Sequence, residues 1–525
     1  MKKSPIFRGV LQHDLLGTAS VFAFAAALLW WLAGQRLVWI MDEGIYLDGA
    51  RRMLAGQMPY RDFFVLTGPG TFWNLAVFFK IFGTSLASAR ALLVLDLALI
   101  AACMYWLAAR FSSRALGFWL AGFFVALLAG DKDDLVVNHR WDSAALSTLG
   151  VTLLAAAGVR TGNRWLVAGA GAAAAYAAWT TPPVALVLAP MLLWSFWAHR
   201  WAGAMSFFAG VGVVSALAGG ALTATGSLGP MLRHFAWTAS QYAGANRSPY
   251  GSITGGYAAL FADAHGWEMG VYAIIVFFIV LPAAAPLCAV LGFAADRRLW
   301  KTPLLLILAC AVASVLASAP RMDVAHLTYS SPLSFVVAAC ALTSILPGRW
   351  RAPLAMALGF GACLLLANAV NSRLHLQTAQ TRAGVMVGDP QDLALERALE
   401  SGVRKGQSFF AFPYVPLAYF LTQGANPTRY SFLQPGMMAD ADEDQALASL
   451  QGAPPSEVLY MDVPDSAILH LFPSSDPHHL RMRRMEGWLR DNYDRDQHFA
   501  QGFPGYYLLI RRPSAPLLSS RLGPF

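Results

Sequence analysis

Charged residues are scarce in this sequence: only 13% of its 525 residues are Asp, Glu, Lys or Arg, whereas 57% are hydrophobic. A chain of this length with so little charge does not fit a set of soluble domains. Apolar runs of about 18 or more residues recur instead, and a helix of that length spans a bilayer. Together with a mean hydropathy of +0.48, these runs predict a multi-pass α-helical membrane protein.

Several common functional signatures are missing. The five cysteines lie inside apolar runs without CxxC spacing, so neither a disulfide framework nor a thiolate metal site is supported. There is no Walker loop, dinucleotide-binding fingerprint, Ser-His-Asp order or HExxH motif. The formal charge of +8 is spread in ones and twos between apolar runs, so we expect no nucleic-acid partner.

Eleven apolar runs are predicted to cross the membrane. They lie near residues 17–40, 88–109, 115–130, 142–159, 165–180, 182–198, 203–224, 268–294, 302–319, 328–346 and 352–370. The run 71–82 is too short to cross and carries Lys80, so it is predicted to lie at the interface. The N-terminal run is too long for a signal-peptide core, and we expect it to be an uncleaved first span.

The basic residues of the short loops predict the orientation. With the N-terminus in the cytoplasm, the cytoplasmic loops receive Arg110, Arg114, Arg160, Arg164, Arg200, Arg297, Arg298, Lys301, Arg349 and Arg351. The opposite side receives Asp42, Glu43, Asp48, Asp62, Asp131, Asp133, Asp134, Asp142, Asp263 and Asp323. We therefore expect a membrane protein whose N-terminus is cytoplasmic and whose C-terminal segment is extracytoplasmic.

Two domains are predicted: a transmembrane domain over 1–372, with a first outer loop at 41–87, and an extracytoplasmic domain over 373–525. In the second domain apolar segments shorten to strand length, at 408–412, 457–461 and 506–510. Helical patterns fall between and around them, at about 389–402, 414–422, 441–451 and 477–490. This alternation is typical of a small α/β domain.

The first outer loop carries the most informative acids. Asp42 and Glu43 stand where the first apolar run ends, and Asp62 lies between turn formers later in the loop. Desolvation and a neighbouring like charge raise the pKa of a carboxylate at a membrane boundary, which suits a general base. The sequence does not say which of Asp42 and Glu43 is the base and which orients it. A solvated pair of acids at a helix end explains them as well.

The second outer loop, 131–142, packs four acids, a histidine and two bases into twelve residues. Either Asp133, His139 and Asp142 face the first loop across a cavity, or the run is a solvated face. Asp and His also bind divalent metals, but no pair has a diagnostic ligand spacing. No metal ligand is therefore assigned, and a divalent metal stays an alternative.

Two further outer loops carry candidate binding residues. Arg321 and His326 follow a predicted span directly, and guanidinium binds phosphate in bidentate fashion. An interfacial anchor in which Arg321 pairs with Asp323 explains the same residues. The long loop 225–267 contributes aromatic and amide groups, Tyr242 among them, that suit a sugar or lipid headgroup or else cover the surface.

The order of motifs over about 17–115 is distinctive. An apolar span ends in Asp42-Glu43 and is followed by Tyr46, Ala50-Arg51-Arg52-Met53-Leu54-Ala55-Gly56, Pro59-Tyr60-Arg61-Asp62, Gly68-Pro69-Gly70, Phe82-Gly83-Thr84-Ser85 and Ala89-Arg90. This order resembles the polyprenyl-phosphate-sugar-dependent glycosyltransferases of the GT-C superfamily. It is most similar to family 39, which includes the protein O-mannosyltransferases and the aminoarabinose transferase of lipid A.

The resemblance implies a GT-C fold and an inverting hexosyl- or pentosyltransferase. It implies Asp42 as catalytic base or its close partner, Glu43 beside it, and Asp62 as a second acid. The polyprenyl-phosphate donor would place its phosphate near Arg61, Arg321 or His326. The acceptor would be an extracytoplasmic lipid, polysaccharide or protein. Phe63-Phe64 follow Asp62 where the protein O-mannosyltransferases have His-Pro-Pro, which argues against protein O-mannosylation.

Two other classes of function remain to be compared. A transporter or flippase also has many spans, but inverted repeats and broken helices in matching positions are typical of that class, and the sequence has no convincing repeat. A non-catalytic scaffold would bind a partner through 373–525 and would leave the outer acids unexplained.

Overall fold

The structure is a computed structural model that describes residues 5–39, 42–159, 163–253, 262, 265–296, 302–434, 436–499 and 505–513. Five of the charged residues used above to predict orientation lie outside these ranges: Arg160, Asp263, Arg297, Arg298 and Lys301.

The first 374 residues are mainly helical. The helices are α1 (Pro5–Ala33), α2 (Glu43–Leu54), α3 (Gly70–Phe82), α4 (Leu86–Phe111), α5 (Arg114–Gly130), α6 (His139–Val159), α7 (Arg164–Thr180), α8 (Leu188–Ala224), α9 (Leu228–Trp237), α10 (Trp267–Ala295), α11 (Leu304–Leu316), α12 (Val324–Ser330), α13 (Pro332–Ile345) and α14 (Arg351–Leu374). A buried apolar core joins α1, α4, α5, α6 and α13. Helix α4 lies at its centre, because most of its side chains are buried.

Among the described residues, five helical stretches are long and apolar enough to cross a membrane, or six if the bent pair α12 and α13 is one span. These stretches define a multi-pass membrane protein. The number is smaller than the eleven predicted spans, in part because α5 and α11 have only 17 and 13 residues. Helix α3, predicted to be interfacial, has 13 residues.

Helix α8 covers most of the predicted spans 182–198 and 203–224. Its backbone is interrupted at Arg200, whose φ of 57° and ψ of −150° are not helical. At Gly203 a Cβ atom would lie 2.3 Å from the carbonyl oxygen of Ser195, so the two arms approach closely only because glycine is there. The predicted break between these two segments is therefore present as a sharp kink.

The first predicted span ends too late in the sequence. Helix α1 stops at Ala33, and the chain then pairs with the C-terminal part of the protein. The amide of Leu37 donates to the carbonyl of Val387, and the amide of Val387 donates to the carbonyl of Gln35, both at 2.8 Å. Asp42 is therefore not the last residue of the first helix.

Residues 377–511 form a mixed α/β unit. Its helices are α15 (Pro390–Gly402), α16 (Leu417–Thr422), α17 (Asp440–Gly452), α18 (Asp465–Leu471) and α19 (Arg483–Asn492). Its strands are β1 (Gln377–Thr381), β2 (Gly384–Gly388), β3 (Phe409–Phe412), β4 (Glu457–Asp462), β5 (Tyr493–Phe499) and β6 (Gly505–Arg511). Strands β1 and β2 form a hairpin, and the four-stranded sheet has the order β3-β4-β6-β5 with β3 parallel to β4. The predicted strands all lie in this sheet.

The α/β unit packs directly on the first predicted outer loop. A Cβ atom at Gly44 would lie 1.9 Å from the backbone nitrogen of Leu417, so α2 and the start of α16 touch backbone to backbone. Arg51 donates to the carbonyl of Gly424 at 2.8 Å. The amide of Phe64 donates to the carbonyl of Arg429 at 2.9 Å. The two parts of the chain therefore share one interface around the loop that carries Asp42.

Candidate functional site

Asp42 lies at the N-terminal end of α2 and faces the α/β unit. Its Oδ1 accepts a hydrogen bond of 2.6 Å from the hydroxyl of Tyr414, in the loop between β3 and α16. Tyr414 is buried, and its ring packs against Phe432 with 5.0 Å between centroids. The candidate base is thus covered by a side chain from the other end of the sequence.

Tyrosines surround this carboxylate. Burial raises the pKa of Tyr46 and that of Tyr414 well above the usual range of a phenol, and the negative charge of Asp42 adds to this effect. The same two causes raise the pKa of Tyr242 to about 12. Tyr46 comes from α2 and Tyr242 follows α9, so three separate segments place phenol groups within the electrostatic range of Asp42.

Arg321 and His326 lie together, held by Asp323. The Nε of Arg321 donates to one oxygen of Asp323 at 2.5 Å, and the Nδ1 of His326 lies 2.6 Å from the other. Arg321 also donates to the amide oxygen of Asn246 at 3.0 Å. Burial opposes the charge of Asp323, but the hydrogen bonds from His326 and Arg321 outweigh it and lower its pKa. The electrostatic influence of Arg321 reaches Tyr242, so this cluster borders the tyrosines around Asp42.

Sequence reasoning missed Arg140. Its positive charge lowers the pKa of both Tyr46 and Tyr242, whereas the negative charge of Asp42 raises both. Arg140 and the candidate base therefore influence the same two tyrosines with opposite sign. It also lines a crevice between α6, α11, α12 and α13. The available signal was a base within the acidic run 131–142, one residue after His139 at the start of α6.

The crevice beside Arg140 is rich in hydroxyl groups. The residues that contribute them are Ser143, Ser147, Thr148, Ser314, Ser318 and Ser330, with Tyr329. Ser147 donates to the carbonyl of Ser143 at 2.7 Å, and Ser318 donates to the carbonyl of His326 at 3.2 Å. Their oxygens keep lone pairs for other donors, so the crevice is polar although membrane-spanning helices line it.

Glu43 points away from Asp42 into the protein. Its carboxylate forms an ion pair of 2.8 Å with Arg90 on α4, and neither side chain has any exposed surface. The other oxygen accepts the amide of Val137 at 2.9 Å. Burial raises the pKa of Glu43, opposed by the charge of Arg90. Both oxygens are therefore engaged in holding α2, α4 and the second predicted outer loop together.

Asp62 and Arg61 form a separate surface pair. Arg61 donates through Nε and one NH2 group to both oxygens of Asp62, at 3.0 and 2.7 Å, and through the other to the carbonyl of Thr225 at 2.7 Å. The hydrogen bond from Arg61 is the largest cause that lowers the pKa of Asp62. Asp62 also accepts the amide of Met58 at 2.7 Å. These contacts shape the loop 58–62, and none of them joins Asp42.

The candidates of the second predicted outer loop are dispersed. Asp133 is exposed, in a short 3₁₀ turn. The Nδ1 of His139 lies 2.7 Å from the hydroxyl of Thr181, and its ring packs against Tyr46. Asp142 is buried and accepts a hydrogen bond from Thr71 on α3. The structure thus brings His139 to the back of α2 but places Asp142 within the helix packing.

Asp142 also faces a second acid in the helix bundle. Its carboxyl group lies close to that of Asp96 on α4. Among the described residues no three His, Cys, Asp or Glu side chains are grouped so that they could hold a metal ion.

Comparison with known proteins identifies the fold. No protein-family model matches the sequence, and no curated protein matches it. Solved structures do match over almost the whole chain. The chain shares its fold with solved membrane glycosyltransferases, in agreement with the fold that the motif order of the first loop implied.

Two solved structures illustrate the similarity. ArnT from Cupriavidus metallidurans, solved bound to undecaprenyl phosphate, is 14% identical, with a TM-score of 0.50 over 97% of this chain and 99% of the other. The oligosaccharyltransferase AglB from Archaeoglobus fulgidus, solved with an inhibitory peptide and a dolichol-phosphate, is 11% identical, with a TM-score of 0.52 over 96% of this chain and 75% of the other. At this level of identity the likeness concerns the fold.

Proposed function

We propose that this protein is a membrane glycosyltransferase that moves a sugar from a polyprenyl-phosphate donor to a hydroxyl acceptor on the extracytoplasmic side. The observation that carries the proposal is the position of Asp42. In a GT-C fold, its carboxylate lies at the interface between helix bundle and α/β unit and already accepts a hydroxyl hydrogen bond of 2.6 Å. A general base must lie at about this distance from the oxygen whose proton it removes.

In the proposed reaction Asp42 takes the proton of the acceptor hydroxyl. The acceptor oxygen forms a bond to the anomeric carbon while the bond from that carbon to the phosphate oxygen breaks, and the bonding electrons leave with the polyprenyl phosphate. Attack from the side opposite the leaving group inverts the anomeric configuration. No nucleotide is required, because the donor itself carries the leaving group.

Arg321 and Arg140 are the proposed phosphate-binding residues. Arg321 is held by Asp323 and Asn246, and Arg140 shares the tyrosine neighbours of Asp42. Fixed guanidinium groups stabilise the charge that grows on the leaving phosphate without reorganising during the reaction. His326 orients the cluster through Asp323. Arg61 has a smaller role here, because its Nε and both NH2 groups already have partners.

Glu43 is proposed as a positioning residue and Asp62 as part of the loop structure. Glu43 fixes the first turn of α2 through Arg90 and Val137, and Asp42 is the residue directly before it. Asp62 is engaged with Arg61 and Met58. Of the three predicted catalytic acids, Asp42 alone is proposed to exchange a proton with substrate.

A donor-cleavage assay tests this proposal. Purified protein in nanodiscs is incubated with undecaprenyl phosphate linked to glucose, mannose, arabinose or aminoarabinose, and release of undecaprenyl phosphate is measured. We expect release from at least one donor, and its loss in Asp42→Asn, which keeps the size of the side chain. Equal release by Asp42→Asn and the unchanged protein would remove Asp42 from the mechanism. Movement of intact donor across a vesicle bilayer would support a flippase instead.

A further inference from the structure

The hydrogen bond between Tyr414 and Asp42 has the geometry of a reactant pair. The phenol oxygen lies 2.6 Å from the carboxylate oxygen and donates its proton to it. An acceptor hydroxyl must make the same contact before a carboxylate can remove its proton. Burial raises the pKa of Tyr414 well above its usual range, so this phenol keeps its proton and is not itself activated.

The segment that carries Tyr414 is shaped to insert it. Strand β3 ends at Phe412, and Pro413 and Pro416 flank the short connection to α16, which packs on α2. The ring of Tyr414 rests on Phe432, and the carbonyl of Pro413 accepts the amide of Leu433 at 2.7 Å. The backbone is thus anchored on both sides, whereas the hydroxyl is joined to the helix bundle through Asp42.

We propose that the hydroxyl of Tyr414 occupies the position of the acceptor hydroxyl, so that the acceptor enters between α2 and the α/β unit and displaces this side chain from Asp42. The inference rests on the proposed function and specifies where its acceptor binds. Until an acceptor arrives, Tyr414 keeps water away from the base and so protects the donor from hydrolysis. Rotation of one tyrosine side chain opens the position without undocking the α/β unit.

The surroundings indicate the class of acceptor. Tyr414 bonds to Asp42 and packs against Phe432, and Tyr46 follows Asp42 by one turn along α2. Aromatic faces with polar tips suit a ligand with an apolar side and hydroxyl groups, as a sugar ring has. We therefore assign the acceptor as a carbohydrate hydroxyl presented at the edge of the α/β unit.

The test compares Tyr414→Phe with the unchanged protein in the donor-cleavage assay, first with water as the only nucleophile. The phenylalanine ring keeps the packing on Phe432 but leaves Asp42 Oδ1 without its hydroxyl partner. We expect hydrolysis of the donor to rise about tenfold, because water then reaches the carboxylate without displacing a hydrogen bond to a charged group. With methyl glucoside added as a soluble hydroxyl nucleophile, we expect its apparent KM to fall while kcat changes little.

Three outcomes are informative. Slower hydrolysis in Tyr414→Phe would overturn the inference, because Tyr414 would then orient Asp42 for catalysis, and unchanged hydrolysis would overturn it too. If neither protein releases undecaprenyl phosphate from any donor, both the proposed function and this inference fail. Tyr430→Phe is the matched control, because its hydroxyl binds Asp442 and Gln445 within the α/β unit, and it should leave hydrolysis unchanged.

Discussion

Glu43 and Arg90 form an ion pair of 2.8 Å in which neither side chain has any exposed surface. The pair joins the start of α2 to α4, a helix in which most side chains are buried. A second bond from the Val137 amide to Glu43 brings in the second predicted outer loop. The residue next to the candidate base is therefore part of the framework that fixes α2.

Glu43→Ala should destabilise the protein strongly. Removing the carboxylate leaves the charge of Arg90 buried without a partner, which typically costs about 3–5 kcal/mol. We expect a lower melting temperature of the detergent-solubilised protein, measured by the monodisperse fraction that survives heating. The double variant Glu43→Ala and Arg90→Leu should recover part of the loss. Asp62→Ala is the control, since Asp62 is partly exposed, and a shift as large as that of Glu43→Ala would contradict this account.

Arg321→Ala and Arg140→Ala should each weaken binding of undecaprenyl phosphate. Each removes a guanidinium group that is proposed to bind the phosphate, and a charge-assisted hydrogen bond contributes about 1.5–3 kcal/mol, so we expect a tenfold or greater rise in Kd. Equilibrium binding of fluorescent undecaprenyl phosphate to protein in nanodiscs measures it. Arg61→Ala should leave the Kd nearly unchanged, because Arg61 binds Asp62 and Thr225. If Arg61→Ala weakened binding most, the phosphate would lie elsewhere.

The helical architecture and the pair of candidate acids, Asp42 and Glu43, were predictable from local features of the sequence. Apolar runs of sufficient length locate the helices, and α4 (Leu86–Phe111) starts and ends within two residues of the predicted run 88–109. Asp42 was found because an acid after the first apolar run is unusual. The end of α1 was misplaced, because Leu37 and Val38 continue the apolar composition although they pair with strand β2 or pack beside it.

The contacts that distinguish one acid from another were not predictable. Glu43 and Asp42 are adjacent, yet one pairs with Arg90 and the other with Tyr414, 372 positions later. Such pairings depend on tertiary packing, which local patterns do not contain. For the same reason Arg140 was overlooked, because in the sequence it is one base within a charged run, and its influence on Tyr46 and Tyr242 arises from tertiary packing.

Gly44→Ala should separate the α/β unit from α2. The added methyl group would lie 1.9 Å from the backbone nitrogen of Leu417 and 2.3 Å from its Cα, and backbone cannot move aside as a flexible side chain can. We expect trypsin to cut faster within residues 373–434, which mass spectrometry of the fragments measures. We also expect the variant to lose cleavage of the sugar donor. Gly122→Ala is the control, because nothing lies within 4 Å of its added Cβ. Equal proteolysis of the two variants would mean that the Gly44 contact does not hold the domains together.

Glu396→Gln should change how stability depends on pH. Glu396 is fully buried in α15, and burial, assisted by neighbouring Glu400, raises its pKa to about 8. In the unfolded state the pKa of Glu396 is near 4.5, so the folded state holds this proton more tightly. The free energy of unfolding therefore falls as the pH rises from about 4.5 to about 8. The amide that replaces the carboxyl group does not titrate, so the melting temperature of the variant relative to the unchanged protein should be higher at pH 8 than at pH 5.

Asp392, whose pKa burial raises to about 6, is present in both proteins and cancels in this comparison. The same difference in melting temperature at both pH values would show that Glu396 does not titrate in this range.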